Sequence, residues 1–259
     1  MIITVLTENF PGSHTDAEHG LSYLIEHDGM KILFDSGQSD LFIRNALKIK
    51  RDIKDIDLIV LSHGHFDHGG GLEYLPGGKL ICHPGCFLKR YRKRDHSYIG
   101  LKSSRDEFSR KFDLIATSEP YFITNKIIFE GEIPRVTNFE SQTTPFVFED
   151  GTPDFVMDDS ALILLSDRGL FVVTGCGHAG IVNTLEHAKK VTGRNTLLGV
   201  MGGFHLKEFN RQTRETIHYL KENNVKYVYP SHCTGPIALS AFYKSFAMKQ
   251  VVTGDIFEF

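Results

Sequence analysis

The sequence has no apolar run approaching the roughly 18–20 residues that span a bilayer, and no basic leader feeding an apolar stretch at its start. Both absences point to a protein that works in the cytoplasm. Cysteine is scarce: Cys82, Cys86, Cys176 and Cys233 are the whole complement, and none forms a C-x-x-C pair. Four cysteines do not make a disulfide framework in 259 residues, so they read as reduced, mostly buried thiols. An excess of positive charge is missing too. Lys and Arg number 29 against 32 Asp and Glu, a formal net charge of −3, so no general field draws the protein to nucleic acid or an anionic membrane. A small-molecule substrate is the expected partner, with a phosphorylated one left open and the oligomeric state unread. Linkers rich in Gly, Pro or Ser are absent, so residues 1–259 are expected to form one layered domain, with 84–115 as a candidate insertion or lid.

What is present alternates strands and helices. The opening MIITVLTENF has a strand's alternation. Residues 21–26 and 31–35 flank Asp28-Gly29, a pair that accepts the positive φ of a tight hairpin turn. A helix is expected over 39–49, with Leu41, Ala46 and Leu47 on its apolar side, then a strand over 57–61. Between 84 and 115 periodicity weakens, and RYRKR at 90–94 reads as a solvated helix face, with a phosphate contact as the alternative. Strands resume around Asn125-Lys126 and at about 160–166, 170–174, 196–200 and 225–229, with helices at 179–191 and 211–223. Three of these later strands empty into loops carrying His178, His205 and His232.

The strongest chemical signal follows the strand DLIVL. His63, His65, Asp67 and His68 place three imidazoles and a carboxylate within six residues, just before Gly69-Gly70-Gly71. This donor set suits zinc, iron or manganese. A purely structural cluster is the poorer account, because such polar groups packed beside a buried strand need partners. The pair Cys82 and Cys86 lacks neighbouring ligands to complete a tetrahedral site.

The H-x-H-x-D-H run, preceded by LFDSG at 33–37, resembles the metallo-β-lactamase superfamily. That resemblance implies a four-layer αββα sandwich of two similar halves and a dinuclear metal site. His63 and His65 would bind one ion, Asp67 and His68 the other. His232 matches the last histidine ligand, and Asp35 would orient a ligand without binding metal. The motifs AEHGLS, TGCGHAGI, MGGFHL and YPSHCTGP resemble the branch identified as 7,8-dihydropterin-6-methyl-4-(β-D-ribofuranosyl)aminobenzene 5'-phosphate synthases, linked to methanopterin biosynthesis.

Two departures from the superfamily pattern bear on the site. Cys176 stands in VVTGC where relatives carry a bridging aspartate, and Asp158-Asp159-Ser160 stands where many place a third histidine. His178 is taken as the replacement ligand, with Cys176 and Asp158 as lesser candidates. His205 and His19 are candidate substrate contacts, and His205 reads equally as a core histidine. The remaining histidines read as surface or structural.

Two divalent ions, zinc first, then imply water activation against an ester, lactone or phosphoester, with Asp67 steering or accepting the water's proton. A related synthase reaction on a phosphorylated ribosyl substrate is the companion expectation. The rivals are a diiron redox enzyme on the same fold and a metal-stabilised binding protein without turnover.

Overall fold

The computed structural model describes all 259 residues, and they divide into two compact units. The first comprises Met1–Ser118, Pro145–Asp154 and Val251–Phe259; the second comprises Glu119–Thr144 and Phe155–Gln250.

In the first unit the Asp28-Gly29 turn takes positive φ at both residues (49° and 75°) and joins strands Ser22–His27 and Met30–Phe34 as the hairpin expected of it. These belong to a seven-stranded sheet in the order Ile256–Glu258, Ile2–Thr7, Ser22–His27, Met30–Phe34, Leu58–Val60, Gly78–Cys82 and Phe112–Ala116. The pairs up to Met30–Phe34 are antiparallel and the remaining three are parallel. The switch matters for function, because Phe34 lies opposite Val60, so Asp35 and the run after Val60 leave the same sheet edge. Ligands in α/β sheets collect at that carboxyl edge.

The helix Leu41–Lys48 buries Leu41, Phe42, Asn45 and Ala46. Leu47 is 69% exposed, contrary to its expected place on the apolar side. The reason is angular: 41, 42, 45 and 46 share one stripe of a 3.6-residue period, and 47 falls on the opposite face. Asn45 joins that buried stripe because its Nδ2 donates to the carbonyls of Leu6 and Asp16.

The 84–115 stretch is more ordered than its weak periodicity implied. Arg90–Arg92 is a strand, paired antiparallel with Phe146–Phe148, and Arg105–Lys111 is a helix closed by a Ser104/Glu107 capping box. Reading 90–94 as a solvated helix face is therefore corrected: it begins as a strand, and Arg90 is fully buried against Asp154. A buried carboxylate partner is what reverses the usual exposure of arginine.

The second unit is built on a six-stranded sheet in the order Tyr227–Ser231, Leu197–Gly203, Gly169–Thr174, Ala161–Ser166, Ile127–Phe129 and Tyr121–Phe122. The first three run parallel, so their following loops emerge at one edge, and those loops hold His178, His205 and His232. Helices Ile181–Thr192 and Arg211–Glu222 match expectation. Gly193 ends the first at φ 65°, and the Asn210 side chain caps the start of the second. A further helix, Pro236–Ser245, was not anticipated; Pro236 in its first turn is the signal that marks its start. Its Phe242 packs with Phe204, Val200, Leu185 and Leu220 in the apolar core of this unit. Each such side chain, fully withdrawn from water, contributes on the order of 1.5–3 kcal/mol. No helix of the protein is long and apolar enough to cross a membrane.

Candidate functional site

Each unit presents one set of candidate ligands at the edge of its own sheet. In the first, Leu58–Val60 delivers the chain through Leu61 and Ser62 to His63, which is fully buried. His65 precedes the short helix Phe66–Gly69, and its carbonyl accepts the amides of His68 and Gly69, so Asp67 and His68 sit in that first turn. The imidazoles converge: His63 Nε2 lies 2.9 Å from His65 Nδ1, and the His63 and His68 ring centroids are 4.2 Å apart. His68 Nε2 lies 3.7 Å from Asp67 Oδ2, and His19 Nε2 approaches the same oxygen at 3.2 Å. His19 is the one exposed member, with 58% of its side chain open to solvent.

Behind these groups stands Asp35, fully buried and held at φ 56°, a backbone state costly for a residue with a Cβ. Its carboxylate accepts from the Ser62 amide and hydroxyl, both at 2.7 Å, and meets His68 Nδ1 at 2.6 Å. Ser62 Oγ in turn lies 2.9 Å from His63 Nδ1. Both imidazoles are thus engaged through Nδ1, which orients Nε2 of each toward the other donors. That is how an outer carboxylate or hydroxyl fixes the ring orientation of a metal-binding histidine. Three clustered imidazoles and a carboxylate, with two rings locked from behind, fit a divalent transition metal.

Close approach, rather than a left-handed backbone, explains the glycines here. A Cβ on Gly64 would overlap the Cys86 carbonyl, and one on Gly71 would overlap the Ser36 carbonyl.

In the second unit His205 and His232 both adopt φ 49°, each just beyond the end of a parallel strand. The His178 and His205 rings lie 4.3 Å apart between centroids. Cys176 and Cys233 are buried nearby: the Cys233 thiol donates to the Cys176 carbonyl at 3.4 Å and accepts the His205 amide at 3.3 Å. Burial pushes the Cys233 thiol up, but a hydrogen bond with the Cys176 side chain and the charges of His205, His232 and Lys207 outweigh it and hold the thiol well below its ordinary value. Cys233 had drawn no attention as a site residue. Its signal was its position directly after His232.

The loop bearing His178 is tied down from behind. Asp159 accepts the Ala179 amide at 2.8 Å, while its neighbour Asp158 is also buried. Glu140 accepts the amides of Val182 and Asn183, and Asn183 Nδ2 donates to the Ala179 carbonyl. Burial raises the carboxyls of both Asp159 and Glu140 to about 7, against the lowering effect of those amides. Among the other histidines, His187 lies 3.7 Å from buried Glu130, and His83 accepts the Gly85 amide as a helix cap, both structural as expected.

The chain belongs to the metallo-β-lactamase superfamily, whose family model matches residues 15–189. Its fold is that of the superfamily: it superposes on Tm1679, a solved metal-dependent hydrolase of the β-lactamase superfamily, with a TM-score of 0.89 at 28% identity, covering 100% of this chain and 99% of that one. Among sequence relatives, the Methanocaldococcus jannaschii protein MJ0448 is 37% identical over 248 residues, 92% of this chain and 93% of its own length. The 7,8-dihydropterin-6-methyl-4-(β-D-ribofuranosyl)-aminobenzene-5'-phosphate synthase of the same organism is 31% identical, covering 99% of this chain and 96% of its own.

Proposed function

We propose that the protein is a metal-dependent hydrolase-type enzyme that cleaves an ester, lactone or phosphoester bond in a small molecule at a dinuclear centre, zinc being the first choice of metal and iron or manganese the alternatives. The reading is carried by one observation: His68 and His63 are locked through Nδ1 by Asp35 and Ser62, within a buried cluster that includes His65 and Asp67. A core histidine needs no such orientation toward other imidazoles; a ligand does. The ligands are His63, His65, Asp67 and His68, with His232 and His178; Cys176 and Asp158 stand as alternatives to His178.

Two divalent cations, when bound, polarise the scissile oxygen and bring the pKa of water near neutrality. Asp67, whose Oδ2 lies 3.2 Å from His19 Nε2, would help hold such ions, orient the attacking water and take its proton. His19, half exposed, and His205, strained at a strand end, offer imidazoles to the substrate. Nucleic acid and membrane are not partners in this reading, consistent with a net charge of −3. A second reading, a synthase acting on a phosphorylated ribosyl substrate, is favoured by the near full-length relationship to the 7,8-dihydropterin-6-methyl-4-(β-D-ribofuranosyl)-aminobenzene-5'-phosphate synthase.

Elemental analysis of the wild type and a His178→Ala variant tests the proposal, alongside turnover of phosphodiesters, lactones and the synthase substrates. Two zinc or manganese ions per chain, fewer in the variant, with hydrolysis, are expected. Synthase turnover alone selects the second reading. Iron without hydrolysis would move the protein to redox chemistry on the same fold, and metal without any turnover to a binding role. Unchanged metal in the variant would remove His178 from the ligand set and promote Asp158 or Cys176.

A further inference from the structure

Arg90 is fully withdrawn from water, and so is Asp154, whose Oδ2 lies 3.5 Å from Arg90 Nε. Burying two charges carries a desolvation cost of several kcal/mol for each ion, and an apolar pair of similar volume is often as stable or more so. Stability alone therefore gives a weak reason for the pair. Its connections give a stronger one, because they lead by three routes to the loop that carries His63, His65, Asp67 and His68.

The first route is through Gly85. Arg90 Nη2 donates to the Gly85 carbonyl at 3.0 Å, and the next carbonyl, that of Cys86, is the one pressed against Gly64. The second is through the backbone: the Ile99 amide donates to the Arg90 carbonyl and the Phe66 amide to the Ile99 carbonyl, each at 3.0 Å. The third is through Asp154. It ends the segment whose strand Phe146–Phe148 pairs with Arg90–Arg92, and this segment brings the Phe146 ring to 4.9 Å from the His65 imidazole, edge-on at 64°. Gly64, His65 and Phe66 are consecutive, so the three supports converge on one stretch of ligand loop.

We propose that Arg90, through its buried pair with Asp154, is a positioning residue for the 63–68 loop: it sets the backbone at Gly64 and Phe66 and seats Phe146 against His65. The proposal rests on the reading that this loop binds metal. Preorganised ligands bind metal more tightly because the loop need not be ordered on binding, and supporting groups of this kind are typically worth about 10–100-fold in affinity.

The test compares the wild-type chain with the Arg90→Met/Asp154→Leu double variant and with Phe146→Leu, which leaves the ion pair in place. Zn²⁺ affinity is measured by chelator competition, the Co²⁺ absorption spectrum reports ligand geometry, and thermal unfolding of the metal-free protein reports stability. The double variant is expected to stay folded but to lose about 10–100-fold in Zn²⁺ affinity with an altered Co²⁺ spectrum. Phe146→Leu is expected to shift both readouts in the same direction by less. Wild-type affinity and spectrum in both variants would overturn the positioning role alone. A wild-type chain that binds neither ion would overturn the metal reading and this proposal with it.

Discussion

Asp35 Oδ2 and His68 Nδ1 meet at 2.6 Å with neither side chain exposed to solvent. The contact joins the residue just after the strand Met30–Phe34 to one in the short helix Phe66–Gly69 that follows the neighbouring parallel strand, and it decides which nitrogen of His68 is left for the site. Replacing Asp35 with Asn keeps the size but sets an amide N–H or a weaker acceptor against Nδ1. The Asp35→Asn variant is expected to fold and to bind Zn²⁺ about 10–100-fold more weakly, as read by chelator competition. Unchanged affinity would sink the orienting role of Asp35.

Gly64 tests the crowding of the 63–68 loop. A methyl group there meets the Cys86 carbonyl, a backbone atom that cannot swing aside. Gly64→Ala should cost about 1–3 kcal/mol in urea unfolding and lower the metal content of the purified protein. A variant as stable as wild type, with full metal, would show that the loop has room the structure does not display.

Glu140 and Asp159 give the metal-free protein a pH dependence of definite sign. Burial raises Glu140 from its ordinary 4.5, and Asp159 from 3.8, each to about 7. The folded state therefore binds more protons than the unfolded state between the two values. The contribution of each group is fully present below its unfolded pKa and is lost as pH rises through about 7. The unfolding free energy of chelator-treated protein, from urea titration, should fall between pH 5 and pH 8 by up to about 3 kcal/mol for each group. Glu140→Gln, which cannot ionise, should flatten part of that slope. A slope equal to wild type's would mean that the Glu140 carboxyl does not titrate in this range.

Two positions on opposite faces of one helix should respond unequally. Phe42 is fully buried and Leu47 is 69% exposed. Phe42→Ala is expected to destabilise by about 3–5 kcal/mol, and Leu47→Lys to stay within about 0.5 kcal/mol of wild type, both from urea titration. Equal effects would contradict the assigned helix face.

Much of this was legible along the chain because it is local. Asp28-Gly29 announces a hairpin through its backbone preferences, and the stretch from His63 to His68 gathers its donors within one loop, needing no long-range fold to be seen. Helices with clear periodicity, such as Ile181–Thr192, were also readable. Arg90 was misread because composition marks a run of basic residues as solvated, and nothing near it in sequence hints at Asp154, which closes a different segment. Glu140 was invisible for the same reason: its partners, the amides of Val182 and Asn183, lie more than forty residues away.

The sequence by itself determined the chemistry on offer: imidazoles and a carboxylate after a buried strand, with histidine-bearing loops after three later strands. Residue type and local backbone preference carry that information. Tertiary structure alone decided which nitrogen of each imidazole is engaged, which charges are buried, and which carbonyl crowds Gly64. Those outcomes depend on strand order and register, which bring residues distant in the chain within hydrogen-bonding distance, and on burial, which sets the cost of leaving any of them unpartnered.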